Sequence, residues 1–579
     1  MLRFAQHDAL GSARFTYLRN ATLLDLEDSK GVSMVIRRVV LTVWLASCWI
    51  VLEGACLAQD DSARMEQVVQ SYVSSKKFMG SVLVARGETV LLDKGYGFAN
   101  LEWDIPNSPT TKFRLGSLTK QFTAASIFLL QERGKLKVDD PVKKYMPDAP
   151  PAWDKVTIYN LLTHTSGIPS FTGFPDYTST EAIPTNPEKL VARFRDKPLE
   201  FQPGEKWSYS NSGYVLLGFL IEKISGESYE KFVRENIFGP LGMKDSGYDS
   251  NSAIIPRRAA GYEPGDSGPA NAGFIHMSIP FSAGALYSTT EDLLRWEQGL
   301  FGGKLLSAAS LAKMTTPFKE DYACGVAVHT VSGHKVIDHA GGIEGFVTFL
   351  AYYPEDKLTV VALSNLTGDA PSGIVTRLAA VARGEKVELP SERKEITVAP
   401  KILERYVGTY QLAPKINMMI TLEGGQLMSQ VSGQGKVPLF ATSETKFFPK
   451  VVDAVIEFGK DDRGAGAYLV LHQGGRDMKA PRTSDKVVER KEITVSPNIL
   501  AQYTGTYELQ PGFDLVITLE GGQLMSQATG QGKIPLFAES ETRFFPKVID
   551  AEIEFFKDDK GVTHLVLHQG PAEIKAPRR

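Results

Sequence analysis

Two apolar runs flank Arg86-Gly87-Glu88 in GSVLVARGETVLLDKGYGFAN (80–100), and that pattern predicts a β-hairpin. An apolar segment without Gly or Pro then begins inside FRLGSLTKQF (113–122), runs through Arg133 and stops at Gly134, as a helix would. Residues 150–205 carry several Pro and Gly and read as helices joined by long loops. GYVLLGFLIEKISG (213–226) predicts a buried helix with Gly226 as its C-terminal stop. Strand-like segments return at 323–329, 335–338, 346–353 and 358–364. Strands at both ends with helices between them predict a sheet assembled from the two ends of one domain, with a helical lobe inserted.

From residue 393 the pattern repeats. RKEITVAPKILERYVGTY (393–410) returns as RKEITVSPNILAQYTGTY (490–507), and TLEGGQLMSQ at 421 returns at 518, both 97 residues later. Short apolar runs between Gly- and Asp-rich turns predict a small all-β meander or barrel in each copy. Two copies are too few for a solenoid and read as two domains.

Composition changes this picture little. The 579 residues exceed one ordinary core, and 43% hydrophobic with 23% charged residues is ordinary for a folded protein. The net charge of −3 without a basic block excludes an electrostatic nucleic-acid face. The N-terminus does add something. After Met34, Arg37 and Arg38 precede an apolar stretch that ends in a small-residue pattern at Ala58. That is a secretory leader over 34–58, with 1–33 an upstream mis-start and an uncleaved membrane anchor the alternative. Export to the periplasm or the extracellular space is the expectation. Cys48 and Cys56 lie in the leader, so only Cys324 remains in the mature chain and no internal disulfide is expected. Cys324 reads as a small buried hydrophobe.

Three segments carry candidate chemistry. Ser117 and Lys120, three apart on a first helical turn, share a face with Cβ atoms roughly 5–6 Å apart. A serine needs an adjacent base to become a nucleophile, and a lysine serves only when its pKa is lowered. In WSYSNSGY (207–214), Tyr209 and Asn211 alternate with Ser210 and point the same way if the segment is extended, although Asn211 or Ser212 also suits a helix N-cap. In DHAGGIEGF (338–346), Gly341 and Gly342 follow His339-Ala340 and let a backbone approach a ligand, or else make a plain glycine turn. PGDSGP (264–269) sits in a loop-like stretch, 261–273, and lacks the companion residues of a serine protease. His564 and His568 in THLVLHQG lie too far apart along a strand to share a metal.

In this order, Ser-x-x-Lys, Tyr-x-Asn and a late His-x-Gly box resemble the boxes of serine β-lactamases and penicillin-binding proteins. Residues 65–385 are similar to β-lactamase-related serine hydrolases, a group of class C β-lactamases, D-alanyl-D-alanine carboxypeptidases, D-aminopeptidases and esterases. NLLTHTSGIP (160–169), QPGEKWSYSNSGYVLLGFLIEKISG (202–226), IFGPLGMKDS (237–246) and SAGALYST (282–289) agree with it. The resemblance implies an α+β fold, an antiparallel sheet flanked by helices with a helical lobe. It also implies that Ser117 forms an acyl-enzyme and that Lys120 and Tyr209 shuttle its proton. Asn211 would contact the acyl amide, and the N–H groups of Ser117 and Gly342 would form the oxyanion hole.

His339 stands where β-lactamases usually carry lysine, as in certain D,D-carboxypeptidases and D-aminopeptidases. It predicts a rate that titrates near neutrality. The repeats, 393–482 and 490–578, resemble the lipocalin-like domain attached to some D-peptidases, either as a lid or as folded spacers. The expected substrate is a small peptide with D-residues or a muropeptide, with an ester or a β-lactam as the alternative. No cofactor or metal is expected. A homo-oligomer and a catalytically idle peptidoglycan-binding protein both remain open.

Overall fold

The computed structural model describes residues 61–579 except 266, 415, 462–463, 474–475, 486–490, 511–512, 560 and 571. The leader and the segment before it lie outside the described residues. Among those described, no helix is long and apolar enough to cross a membrane.

The first domain is built around a six-stranded antiparallel sheet. Its strands are β1 (Gly80–Arg86), β2 (Thr89–Tyr96), β3 (Ala327–Val331), β4 (His334–Ile343), β5 (Phe346–Tyr353) and β6 (Leu358–Ser364), in the spatial order β3-β4-β5-β6-β1-β2. The two ends of the domain therefore meet where β1 pairs with β6, from Gly80↔Ser364 to Arg86↔Leu358. β1 reads as an unbroken apolar run because both of its faces are covered. Leu83 and Ala85 enter the core beneath the helical lobe, and Val82 and Val84 enter the core on the opposite face.

Helix α1 (residues 61–74) contributes Val68 and Val69 to that opposite core. The lobe holds α2 (Thr119–Glu132), α3 (Ile158–Leu162) and α4 (Asn211–Ser225), with Gly226 in the left-handed conformation at φ 76° just past the end of α4. Helix α5 (Ala370–Ala382) returns to the outer face and packs Ile374 and Leu378 there. Cys324 is a free, buried thiol. The 261–273 stretch is a hairpin of Tyr262–Gly265 with Gly268–Asn271, where the sequence suggested a loop. The turn-forming residues sit at its tip, and Tyr262 is held at its base by backbone bonds to Asn365 and Thr367.

Each repeat is an eight-stranded meander. In the first, the strand Gly408–Ala413 pairs with the last, Arg476–Ser484, and closes a barrel around Tyr410, Ile420 and Leu469. In the second, strands from Gly505–Gln510 to Ala572–Pro577 follow the same order, and the ends meet at the Tyr507–Arg578 bridge and through the Arg579 amide, which donates to the Thr506 carbonyl at 2.8 Å. The sequence motif repeats, and so does the docking. Asp453 of the first barrel receives Tyr72 and Arg393 at 3.1 and 2.9 Å and pairs with Arg377 of α5. Asp550, 97 residues later, receives the Gly433 amide of the first barrel at 3.3 Å, and its own amide donates to the Gln434 carbonyl at 3.2 Å.

Candidate active site

Ser117 lies on a short 3-10 turn, Gly116–Leu118, that runs directly into α2. Lys120 is therefore on the first turn of α2, and its side chain is fully buried. Its Nζ is 2.9 Å from each of three oxygens, Ser117 Oγ, Asn211 Oδ1 and the Ala283 carbonyl. The two carbonyl-type oxygens can only accept, so they take two N–H bonds. In a neutral amine the remaining tetrahedral position is the lone pair, and it faces the serine hydroxyl. Burial holds Lys120 well below the ordinary lysine value of 10.5. The rings of Tyr209 and Tyr214 lie 4.8 and 5.5 Å from the nitrogen.

Burial pushes the pKa of the Tyr209 phenol up, and the neighbouring Ser117 hydroxyl offsets this only in part. As a neutral hydroxyl at ordinary pH the phenol can pass a proton along. Ser210 caps α4 by accepting from the Gly213 amide at 3.4 Å, so the cap is neither Asn211 nor Ser212. Asn211 is the first residue of α4. Its Nδ2 donates to Thr172 at 3.1 Å, which turns Oδ1 toward Lys120.

The third segment is the end of β4. Its ladder to β3 stops at Asp338, whereas its ladder to β5 continues to Ile343. Among the described residues, the 339–343 edge thus has no strand partner on that side, and an extended ligand can pair there. The glycines are required by a close approach of two backbones. A Cβ at Gly341 would lie 2.0 Å from the Leu115 carbonyl oxygen, and one at Gly116 (φ 53°) would lie 2.8 Å from the nitrogen of Gly342. The backbone just before Ser117 is thereby pressed onto Gly341-Gly342.

His339 is buried. It meets the Tyr322 hydroxyl through Nε2 at 2.9 Å and donates from Nδ1 to the Ala340 carbonyl at 2.5 Å. Burial first, and then the Lys120 charge, push its pKa down to about 4. The expectation that it titrates near neutrality is therefore corrected. Desolvation disfavours the imidazolium, and the Tyr322 oxygen is shared with a neutral ring.

Sequence reasoning assigned no role to His164, Tyr322, Thr172 or Ala283. His164 stands in left-handed backbone at φ 55° and brackets Tyr209 from both sides. Its carbonyl accepts the Ser208 amide at 2.9 Å and its Nδ1 accepts the Ser210 amide at 3.1 Å, while its ring lies 4.3 Å from the Tyr209 ring. NLLTHTSGIP and SAGALYST were the available signals for His164 and Ala283. Tyr322 and Thr172 lie in segments with no distinguishing pattern. Among the described residues, no group of three or more His, Cys, Asp or Glu side chains is placed to hold a metal ion.

The family described as Beta-lactamase matches residues 65–384. The chain belongs to the beta-lactamase family. It is a serine hydrolase of that family. A domain of unknown function, DUF3471, matches residues 392–482 and 489–576. Penicillin-binding protein 4* of Bacillus subtilis (strain 168) is 30% identical over 456 residues, covering 74% of this chain and all of the relative. The putative penicillin-binding protein PbpX of the same organism is 32% identical over 312 residues, covering 53% of this chain and 76% of the relative. An octameric penicillin-binding protein homologue from Pyrococcus abyssi superposes with a TM-score of 0.53 at 28% identity, covering 72% of this chain and 99% of that one. A D-amino acid amidase from Ochrobactrum anthropi SV3 shares the fold, with a TM-score of 0.51 at 23% identity, covering 56% and 99%.

Proposed function

We propose that this protein is an exported serine hydrolase that works through an acyl-enzyme on small peptides with D-residues or on muropeptides. The observation that carries the chemistry is the Lys120 amine, buried and tied to two carbonyl oxygens so that its lone pair faces Ser117 Oγ at 2.9 Å. Lys120 takes the serine proton as Oγ attacks the substrate carbonyl. Tyr209, beside the same hydroxyl, relays that proton to the leaving group. Backbone amides of Ser117 and Gly342 hold the developing oxyanion, and the free edge of β4 aligns the substrate backbone. Water then cleaves the ester with the same base. The substrate class is supported by full-length similarity to a protein named for binding penicillin, a group of compounds that acylate a serine. Export is supported by the leader pattern of residues 34–58.

Fluorescent penicillin and a panel of D-amino-acid amides, D-Ala-D-Ala peptides and nitrophenyl esters test this. Wild-type protein is expected to be labelled covalently and to turn over at least one D-amide or D-peptide, and Ser117→Ala to lose both by more than about a thousandfold. Ser117-dependent turnover of esters alone would replace the peptidase with an esterase. Labelling that persists in Ser117→Ala would overturn the nucleophile.

A further inference from the structure

His164 departs twice from what a buried residue favours. It is a non-glycine residue in left-handed backbone at φ 55°, and its imidazole is buried with no partner for Nε2 among the described residues. Both are costs to the fold, and costs of this kind gather at functional sites. The hydrogen bonds show what they secure. The His164 carbonyl accepts the Ser208 amide at 2.9 Å, and Nδ1 of the same residue accepts the Ser210 amide at 3.1 Å. In extended chain the amides of residues i and i+2 point the same way, and Ser210 is extended at φ −132° and ψ 113°. One acceptor is therefore a backbone carbonyl and the other a side-chain nitrogen of the same residue, so a single residue fixes the chain on both sides of Tyr209. Nδ1 accepts only when the ring is neutral with its proton on Nε2, and burial keeps the His164 pKa well below 6.5. The rings of Tyr209, Tyr322 and Tyr214, at 4.3, 4.7 and 5.1 Å, keep the imidazole in register with the Ser210 amide.

We infer that His164 is the positioning residue of the Tyr209 proton relay, holding Ser208 and Ser210 so that the phenol between them stays beside Ser117 Oγ and the leaving group. This deepens the proposed function and rests on Tyr209 acting there. The position makes two demands on its occupant, a positive φ and an acceptor atom two bonds beyond Cβ. Asparagine meets both, because it enters left-handed backbone readily and its Oδ1 falls where Nδ1 does. Glycine meets the first alone, and leucine fills the space but meets neither. A residue that acts through a proton relay matters most where the leaving group needs a proton. An alkoxide needs one to depart, whereas a nitrophenolate leaves without it.

The test measures kcat/KM of the full chain on the ethyl and p-nitrophenyl esters of D-alanine, which share one acyl group. Tyr209→Phe is expected to lose about a hundredfold on the ethyl ester and less than about threefold on the nitrophenyl ester. His164→Gly and His164→Leu are expected to show the same selectivity, with a loss of about thirtyfold on the ethyl ester. His164→Asn stays within about threefold of wild type on both. Adding His164→Gly to Tyr209→Phe costs no more than about a further twofold, because the group it positions is already gone. Glycine relieves the left-handed backbone, so that variant carries the test even where leucine disturbs folding. Equal losses on the two esters, losses that multiply in the double variant, or an asparagine variant no better than glycine would each make His164 a structural residue and overturn the assignment. A Tyr209→Phe protein that keeps its rate on the ethyl ester removes instead the relay on which the assignment rests.

Discussion

Lys120 and His339 show how burial decides what a basic side chain does. Both sit in the same desolvated space, and both have their pKa lowered by it. For Lys120 this creates the function. The active form is the neutral amine, so acylation rises as pH climbs through its lowered pKa, and this limb lies well to the acid side of 10.5. His339, at about 4, is already neutral at pH 5 and contributes no limb between there and pH 8. The kcat/KM profile of wild type is expected to carry one rising limb that is absent in Lys120→Met, and to keep that limb in His339→Gln. A limb between pH 5 and 8 that vanishes with His339 would contradict the geometry. The residue types were legible in the sequence, but their protonation states were not, because desolvation depends on what surrounds a group.

The elements were read well where their patterns were long. The hairpin of β1 and β2, helices α2 and α4, and the strands at 346–353 and 358–364 lie where alternation and apolar runs place them. The strand expected over 323–329 starts only at Ala327, after the chain turns at Gly325 with φ 75°. The reach of β4 was not legible. Its run was expected to end at 338, yet pairing with β5 carries it to Ile343 through the two glycines. Glycine disfavours a strand in isolation, and at Gly341 the Leu115 backbone leaves no room for any other residue. Gly341→Ala is expected to push β4 off the nucleophile turn, because a Cβ would meet the Leu115 oxygen at 2.0 Å and Thr348 Oγ1 at 2.3 Å. The expected cost is about 2–4 kcal/mol in stability and at least about a hundredfold in kcat. Urea denaturation and steady-state rates on a nitrophenyl ester would check it, and wild-type values for both would show that the approach is looser than described.

At the scale of the molecule, the same carboxylate position serves twice, Asp453 against the catalytic domain and Asp550 against the first barrel. Asp453 is largely buried, with two guanidinium groups beside it, so removing it leaves Arg377 and Arg393 short of a partner. Asp453→Ala is expected to loosen the first barrel, raising its rate of cleavage in limited proteolysis between the domains while the catalytic domain keeps its own melting transition. Equal protease resistance in variant and wild type would rule out that role for Asp453. The sequence by itself determined the domain order, the repeat and the Ser117, Lys120, Tyr209 and His339 constellation. Those are matters of residue type, spacing and period, which are local or repeat in order along the chain. Only the tertiary structure decided that Lys120 is dry, that His339 is neutral and that His164 holds Tyr209. Each of those depends on groups tens to hundreds of residues apart being brought within a few ångströms, and neither burial nor proximity is written in any one stretch of the chain.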